Sequence, residues 1–185
     1  MRITSGTLKN KKIKSREGKE TRPTLERIKE AIFSIIGDKV VESKFLDLYS
    51  GTGNMAIEAL SRGAKRAILI EKNQEALRII IENINDCKLE NKSRAYKNES
   101  LRAIEILNRK NEIFDIIFMD PPYKENLTEN TIKHVSDYDL LAKDGIIISE
   151  HSVYEKLPET IGKLVKYDER DYNKKIISFY RHNDQ

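Results

Sequence analysis

Along most of this chain, short apolar stretches of strand length alternate with longer stretches of helical period. Few folds accept that order. The strand candidates are "KFLDLYS" (44–50), "RAILIE" (66–71), "SRAYKN" (93–98), "IFDIIFMD" (113–120) and "GIIISEH" (145–151). Between them lie helical patterns at 53–64, 73–87, 100–110 and 129–143, with Gly63 as a stop and Asn73 as a cap. Another helix follows Pro23, with Thr24 placed to cap it, Leu25, Ile28, Ile32, Ile35 and Ile36 on one face, and Gly37 to end it. Two more strands, 163–170 and 175–182, close the chain as a hairpin turning at Asp171–Asn173. This order implies an α/β fold. A mostly parallel, seven-stranded sheet is covered by helices on both faces, and the terminal hairpin adds an antiparallel strand. Residues 2–14 alternate loosely around Ser-Gly and Lys-Asn turn signals, so a small β-hairpin or extended arm is expected there.

At 185 residues, 38% of them apolar, the chain can bury the core of one domain, with an appendage at most. No apolar run reaches membrane-spanning length and the N-terminus lacks the apolar stretch of a signal peptide, so a protein of the cytoplasm without a membrane partner is expected. The single cysteine, Cys87, excludes a disulfide framework and reads as a buried structural thiol at a helix end. Three scattered histidines offer no metal-ligand spacing, and no metal is expected. The net charge of +4 is unevenly spread: residues 1–29 hold ten Lys and Arg against three Asp and Glu, whereas residues 30–150 hold 17 against 21. A basic arm of 1–23 beside a near-neutral body of 24–185 points to a polyanion, nucleic acid first, with a lysine-rich solvated face as the plain alternative.

In sheets of this kind ligands bind beyond the carboxyl ends of the strands, and three segments there carry chemistry. In "LDLYSGTGNMA", Asp47 lies on the strand, and Gly51-x-Gly53-x-x-Ala56 makes a turn that lets a ligand approach the backbone. By itself this is also what a tight strand-to-helix turn requires. Glu71 ends the next strand, where an acid can accept both hydroxyls of an adenosine ribose. It does so for a nicotinamide dinucleotide and for S-adenosylmethionine alike.

The third segment, Asp120-Pro121-Pro122-Tyr123, does choose. Methylating an exocyclic base amine is hard because its lone pair is delocalised into the ring. Two fixed acceptors, the Asp120 carboxylate and the Pro121 carbonyl in a segment stiffened by both prolines, favour a pyramidal nitrogen aimed at a methyl group. Tyr123 can stack on a base taken out of its helix. Hydride transfer has no use for this set; an ordinary strand-ending turn is the bland alternative.

These segments, with "RITSGTLKNKKIK" and "TRPTLERIKEAIF" before them, resemble the RsmD-type 16S ribosomal RNA guanine-N2 methyltransferase family over nearly the whole length. The tetrad alone is shared with many amino-methylating enzymes; its combination with Thr21-Arg22-Pro23-Thr24 in so short a chain is far more specific. The resemblance implies the Rossmann-like class I methyltransferase fold, S-adenosylmethionine as cofactor, and ribosomal RNA as partner, read within a small-subunit particle. It implies that Asp47, Gly51 and Gly53 hold the methionine end of the cofactor, Glu71 the ribose, and Asp120 to Tyr123 the target base. The neighbouring Tyr49, Thr52, Asn54 and Lys72, with Thr24 from the segment expected to fold over the cofactor, complete the cofactor set. Asn98 or Glu99 is to meet the adenine, with spacing favouring Glu99. Lys9, Lys11, Lys12 and Lys14 of the arm are the expected RNA contacts, with Arg22 placed for RNA phosphate or cofactor. A DNA adenine-N6 methyltransferase is the alternative enzyme, though the chain has no sizeable inserted recognition region. A non-catalytic RNA-binding module is the alternative outside enzymes, and a dehydrogenase is more distant.

Overall fold

The computed structural model describes residues 1–16 and 23–184, with the backbone alone for Pro23 and Thr24. The elements are α1 (Pro23–Ile36), a 3-10 turn (Gly37–Val40), β1 (Lys44–Asp47), α2 (Asn54–Ser61), β2 (Arg66–Glu71), α3 (Gln74–Asp86), β3 (Ser93–Lys97), α4 (Ser100–Arg109), β4 (Phe114–Met119), α5 (Leu127–Asp137), β5 (Leu141–Ser152), β6 (Thr160–Ile161), β7 (Leu164–Tyr172) and β8 (Lys175–His182). They build one eight-stranded sheet in the order β3-β2-β1-β4-β5-β8-β7-β6. The first five strands run parallel; β8, β7 and β6 join antiparallel. The eighth strand, beyond the seven expected, is the two-residue β6. Among the described residues, no helix is long and apolar enough to cross a membrane.

Alternation along the central strands sorts their side chains onto two cores. Phe45, Leu69, Ile116, Phe118 and Ile148 face α1, α2 and α3. Leu46, Ile68, Ile70, Ile117, Met119 and Ile147 face α4 and α5. Asn73 caps α3 as the sequence suggests, its side-chain oxygen accepting the Ala76 N–H at 2.9 Å.

Two helix boundaries differ from expectation. α1 begins at Pro23, whose fixed φ suits a first helical position, so Thr24 lies inside the first turn instead of capping it. The helix expected over 129–143 stops at Asp137, and β5 starts at Leu141. Leu140 and Leu141 continue the helical spacing of Ile132 and Val135, but Asp139 turns left-handed (φ 47°) and diverts them into the next strand.

Residues 1–13 form a loose hairpin, with Ile3 N–H donating to the Lys11 carbonyl at 2.9 Å and Asn10 N–H to the Ile3 carbonyl at 2.8 Å. Its apolar side is docked: Ile3 and Ile13 are buried against Ile57 and Cys87. At the tip, Gly6 (φ 86°) presses so closely on the end of α2 that a Cβ there would overlap the Ser61 carbonyl. The next amide, Thr7 N–H, donates to that carbonyl at 2.9 Å.

Beneath the hairpin lies a buried ion pair. Lys29 of α1, 1% exposed, meets Glu58 of α2, fully buried, at 3.0 Å. The ammonium also donates to the Arg2 carbonyl (2.6 Å) and to Asn54 Oδ1 (3.0 Å). Glu58 accepts the Thr4 N–H at 2.9 Å and Arg62 Nε at 3.3 Å. Burial tends to raise the Glu58 carboxyl, but the Thr4 N–H and Lys29 outweigh it and hold it below its usual value.

Removing one partner of such a pair typically costs about 3–5 kcal/mol, because a buried charge loses its counterpart. Arg62 remains beside Glu58, so Lys29→Met should destabilise by about 3 kcal/mol, read as a lowered urea midpoint. Amide exchange should quicken at Ile3 and Thr4 more than in the central strands. An unchanged midpoint would show that the hairpin and α1 hold without this contact.

Candidate active site

Strand order reverses between β1 and β4, because the chain leaves β1 towards β2 on one side and returns to β4 on the other. A crevice opens where such a reversal occurs. Asp47 pairs in register with Leu69 and Phe118, so Glu71 and Asp120 each lie two residues beyond it on the flanking strands. The three acids singled out from the sequence thus meet at the carboxyl end of the sheet.

The glycine loop fixes the floor. Gly51 and Gly53 have φ of 60° and 82°, a left-handed region costly for other residues. Gly53 sits at the N-cap of α2, where a Cβ would come within 3.2 Å of Leu69. Gly51 N–H donates to Glu71 Oε2 at 2.8 Å and Asn73 N–H to Glu71 Oε1 at 2.9 Å, so the loop and the end of β2 are tied through one carboxylate.

Two adjoining cavities of about 390 and 420 Å³ open there, within the usual range for small-ligand sites, and both are lined by Tyr49, Gly51, Glu71 and Asp120. Thr52, Asn54, Asp47 and Glu150 line the first; Lys72, Glu99 and Pro122 line the second. The Tyr49 hydroxyl shares a hydrogen bond with Thr131 at 2.7 Å, which sets the ring between the two. Glu99 faces the cavity, whereas Asn98 lines a separate groove and its side chain accepts the Glu99 N–H at 2.9 Å.

Four carboxylates, Asp47, Glu71, Asp120 and Glu150, line the first cavity against two bases, Lys29 and Arg16. Both bases are engaged elsewhere, Lys29 by Glu58 and Arg16 by Glu75 at 3.1 Å. The crevice therefore holds an excess of carboxyl groups, whose ionised form a positively charged ligand would favour. Burial, with Asp120 and Glu71 nearby, pushes the Asp47 carboxyl up to about 8 against the Tyr49 N–H.

Asp120 sits in the concavity: its side chain is 43% exposed, yet protein surrounds it on several sides. Burial and the Glu150 carboxylate push it up to about 7, opposed by Lys175. Lys175 Nζ lies 2.6 Å from Glu150 Oε1 and 4.0 Å from Asp120 Oδ2. Burial works against the Lys175 ammonium, but Asp120 and Glu150 outweigh it and hold it charged. Pro121 is buried and Pro122 exposed, and the Tyr123 ring is 75% exposed beside the mouth.

Of the arm residues, Lys9, Lys11, Lys12 and Lys14 are exposed. Lys14 is engaged by Glu82 (3.4 Å) and Asp86 (3.3 Å) of α3. Lys9 lies near the hairpin tip, beside the far end of α2 from the glycine loop. Arg22, and the side chain of Thr24, lie outside the described residues. Sequence reasoning missed Glu150, Lys175, Lys29 and Arg16. Glu150 had a signal, an acid closing an apolar strand as Glu71 does. Lys175 had none, since only the antiparallel pairing of β8 with β5 brings it there. Among the described residues no group of three His, Cys, Asp or Glu is placed to hold a metal ion.

A parallel sheet of this order, closed by an antiparallel β8 and carrying a glycine loop after β1, is the Rossmann-like fold of the class I methyltransferases. The model of the family described as "Conserved hypothetical protein 95" matches residues 1–181. YlbH of Bacillus subtilis (strain 168), an rRNA methyltransferase by provisional assignment, is 34% identical over 181 residues, covering 98% of both chains. "Ribosomal RNA small subunit methyltransferase D" of Escherichia coli (strain K12) is 32% identical over 158 residues, covering 85% of this chain and 78% of its own. The solved structure of yhhF, provisionally a methyltransferase of Escherichia coli, superposes with a TM-score of 0.86 at 26% identity, covering 100% of this chain and 99% of that one. The chain belongs to this family, the RsmD-type methyltransferases.

A carboxyl held above its usual value binds its proton more tightly in the folded chain than in the unfolded one. Asp47 therefore costs stability as pH rises from its usual 3.8 towards about 8. Asp47→Asn should remove that cost. Its gain over the wild type should grow between about pH 5 and 8 and reach on the order of 2–4 kcal/mol at the upper end. Urea midpoints across this range test it; a variant less stable at every pH would make Asp47 a structural carboxylate.

Proposed function

We propose that this protein transfers a methyl group from S-adenosylmethionine to the exocyclic N2 amine of a guanine in small-subunit ribosomal RNA. The observation that carries the reading is that the Asp120 tetrad and the glycine loop open on shared cavities, lined in common by Tyr49, Gly51, Glu71 and Asp120. The names of the relatives support ribosomal RNA as substrate, and that of the Escherichia coli relative supports the small subunit. In this reading residues 24–185 are the catalytic domain and residues 1–23 its arm.

The donor set fits the cofactor. S-adenosylmethionine, when bound, supplies an electrophilic methyl group on a positively charged sulfur and carries a second positive charge on its amino group. The excess of carboxylates suits both charges. The same carboxylates would repel the pyrophosphate of a dinucleotide, which weighs against a dehydrogenase. Gly51, Gly53, Thr52 and Asn54 border the methionine end with Asp47, Glu71 takes the ribose, and Tyr49, Lys72 and Glu99 border the adenosine.

At the mouth, Asp120 and the Pro121 carbonyl accept the two amine hydrogens and turn the nitrogen lone pair towards the methyl group, while Tyr123 stacks on the base. The carboxylate–amine bond strengthens as positive charge develops on nitrogen, so it acts mainly in the transition state. Asp120, poised near 7, then takes the proton that the methylated nitrogen releases. Guanine over adenine rests on the resemblance to the guanine-N2 family, because an exocyclic amine is all that the tetrad itself demands.

Asp120→Asn keeps the shape of the turn but removes the charge. It should lower the single-turnover rate by roughly a hundred- to a thousandfold with cofactor affinity largely kept. Ribosomal RNA from cells lacking the protein should lose one N2-methylguanosine by mass spectrometric nucleoside mapping. A near wild-type rate for the Asn variant would remove the tetrad from catalysis; an unaltered set of methylated guanines would overturn the substrate.

A further inference from the structure

The two most exposed large hydrophobic residues among those described are tyrosines, Tyr154 at 93% and Tyr123 at 75%. Both follow the carboxyl ends of strands, β4 and β5, that lead to the candidate active site. Tyr123 closes the tetrad, and its hydroxyl lies in the electrostatic field of Lys175. Tyr154 follows the end of β5, four residues past Glu150, which lines the cavity. The β7–β8 turn completes this rim, since Ser152 pairs with Lys175 and Val153 N–H donates to the Lys174 carbonyl at 3.2 Å.

The rim is built to present what it carries. Tyr154 N–H donates to Ser152 Oγ at 3.1 Å and Glu155 N–H to the Ser152 carbonyl at 3.0 Å. Glu155 Oε2 accepts the Thr128 hydroxyl of α5 at 3.1 Å, pinning the loop to the helix that follows the tetrad. The ring at 154 is therefore held outward on a fixed turn. An exposed aromatic ring on a fixed turn exposes apolar area for no packing gain.

The lysines around it are free of ion pairs among the described residues. Lys124, Lys156 and Lys174 are exposed on these same loops. Glu125, Glu155 and Asp171 match them in number, but Glu155 is turned to the Thr128 hydroxyl and Asp171 to the Asn173 N–H at 2.9 Å, whereas the three ammonium groups reach solvent. Lysines beside outward aromatic rings suit a single-stranded nucleic acid, whose phosphates meet the cations while its bases stack. Of the basic hairpin, the tip with Lys9 is placed less well for contacts next to the target base: it lies at the far end of α2, about 12 Å along that helix from the glycine loop at 1.5 Å per residue.

We propose that the loop 153–156 and the β7–β8 turn form the docking surface for the RNA strand that flanks the target nucleotide. Tyr154 stacks on a neighbouring base while Lys156 and Lys174 meet its phosphates. This rests on the RNA methyltransferase reading, and it adds strand recognition at the carboxyl end of β5 and the start of β8 to the N-terminal lysines.

The test uses the full chain, radiolabelled S-adenosylmethionine, and small ribosomal subunits or 16S transcript lacking the modification. Tyr154→Ala should raise the RNA KM by roughly tenfold, within a range of about five- to a hundredfold set by loss of one stacked base. Tyr154→Phe and Tyr154→Trp should restore it, and kcat at saturating RNA and cofactor affinity should stay near wild type. Lys156→Ala with Lys174→Ala should flatten the log–log salt dependence of binding by about one to two units. A Tyr154→Ala variant within twofold of wild type at subsaturating RNA would overturn the stacking role. Unmodified ribosomal RNA left unmethylated by the wild type would instead overturn the functional reading on which this rests.

Discussion

The contact between Lys29 and Glu58 fixes three parts of the molecule against one another. One ammonium holds the carbonyl of Arg2, the side chain of Asn54 and the carboxylate of Glu58. The hairpin, α1 and the start of α2 therefore meet at a single charged centre away from water. Burying an ion pair gains little over a well-packed apolar cluster, so stability is a weak reason for it. Its effect here is geometric. Charges demand fixed partners where apolar groups tolerate sliding, and Asn54 belongs to the glycine loop. The segment that opens the chain thereby sets the position of the loop at the crevice, and Met1 and Ser15 complete its wall.

The crevice itself is assembled from groups that repel one another. Parallel pairing with no offset brings the ends of β1, β2 and β4 level, so the acids at those ends converge whatever their mutual cost. Lys175 is a cation that the sheet places among them, paired with Glu150 and near Asp120. A site that crowds carboxylates in the free protein gives up stability that a cationic ligand can restore, a common trade between folding and function.

Much of this was legible from residue order. β2 and β8 fall on the residues their alternation marks, and Asn73 caps α3 because an Asn before a helical run has its side chain free to accept a backbone amide. The convergence of Asp47, Glu71 and Asp120 followed from the rule that strand ends gather at a sheet's carboxyl edge. What was illegible depends on contacts distant in sequence or on unusual backbone. Leu140 and Leu141 keep helical spacing, and only the left-handed turn at Asp139 sends them into β5. Lys14 reads as one more basic group of the arm until Glu82 and Asp86 are seen beside it. Tyr154 is one of eight tyrosines in the sequence, and only its exposure separates it from Tyr180, which is fully buried.

The close seat of Gly6 on Ser61 has a consequence beyond its own turn. The hairpin behaves as a short beam: its tip rests on the end of α2, Ile3 and Ile13 pin it towards its open end, and Met1, with Ser15 just past the hairpin, reaches the crevice wall. A side chain at position 6 would lift the tip, and a beam lifted at one end swings the other. The shape of the cavity is thus answerable to a glycine that never touches it, one helix length away.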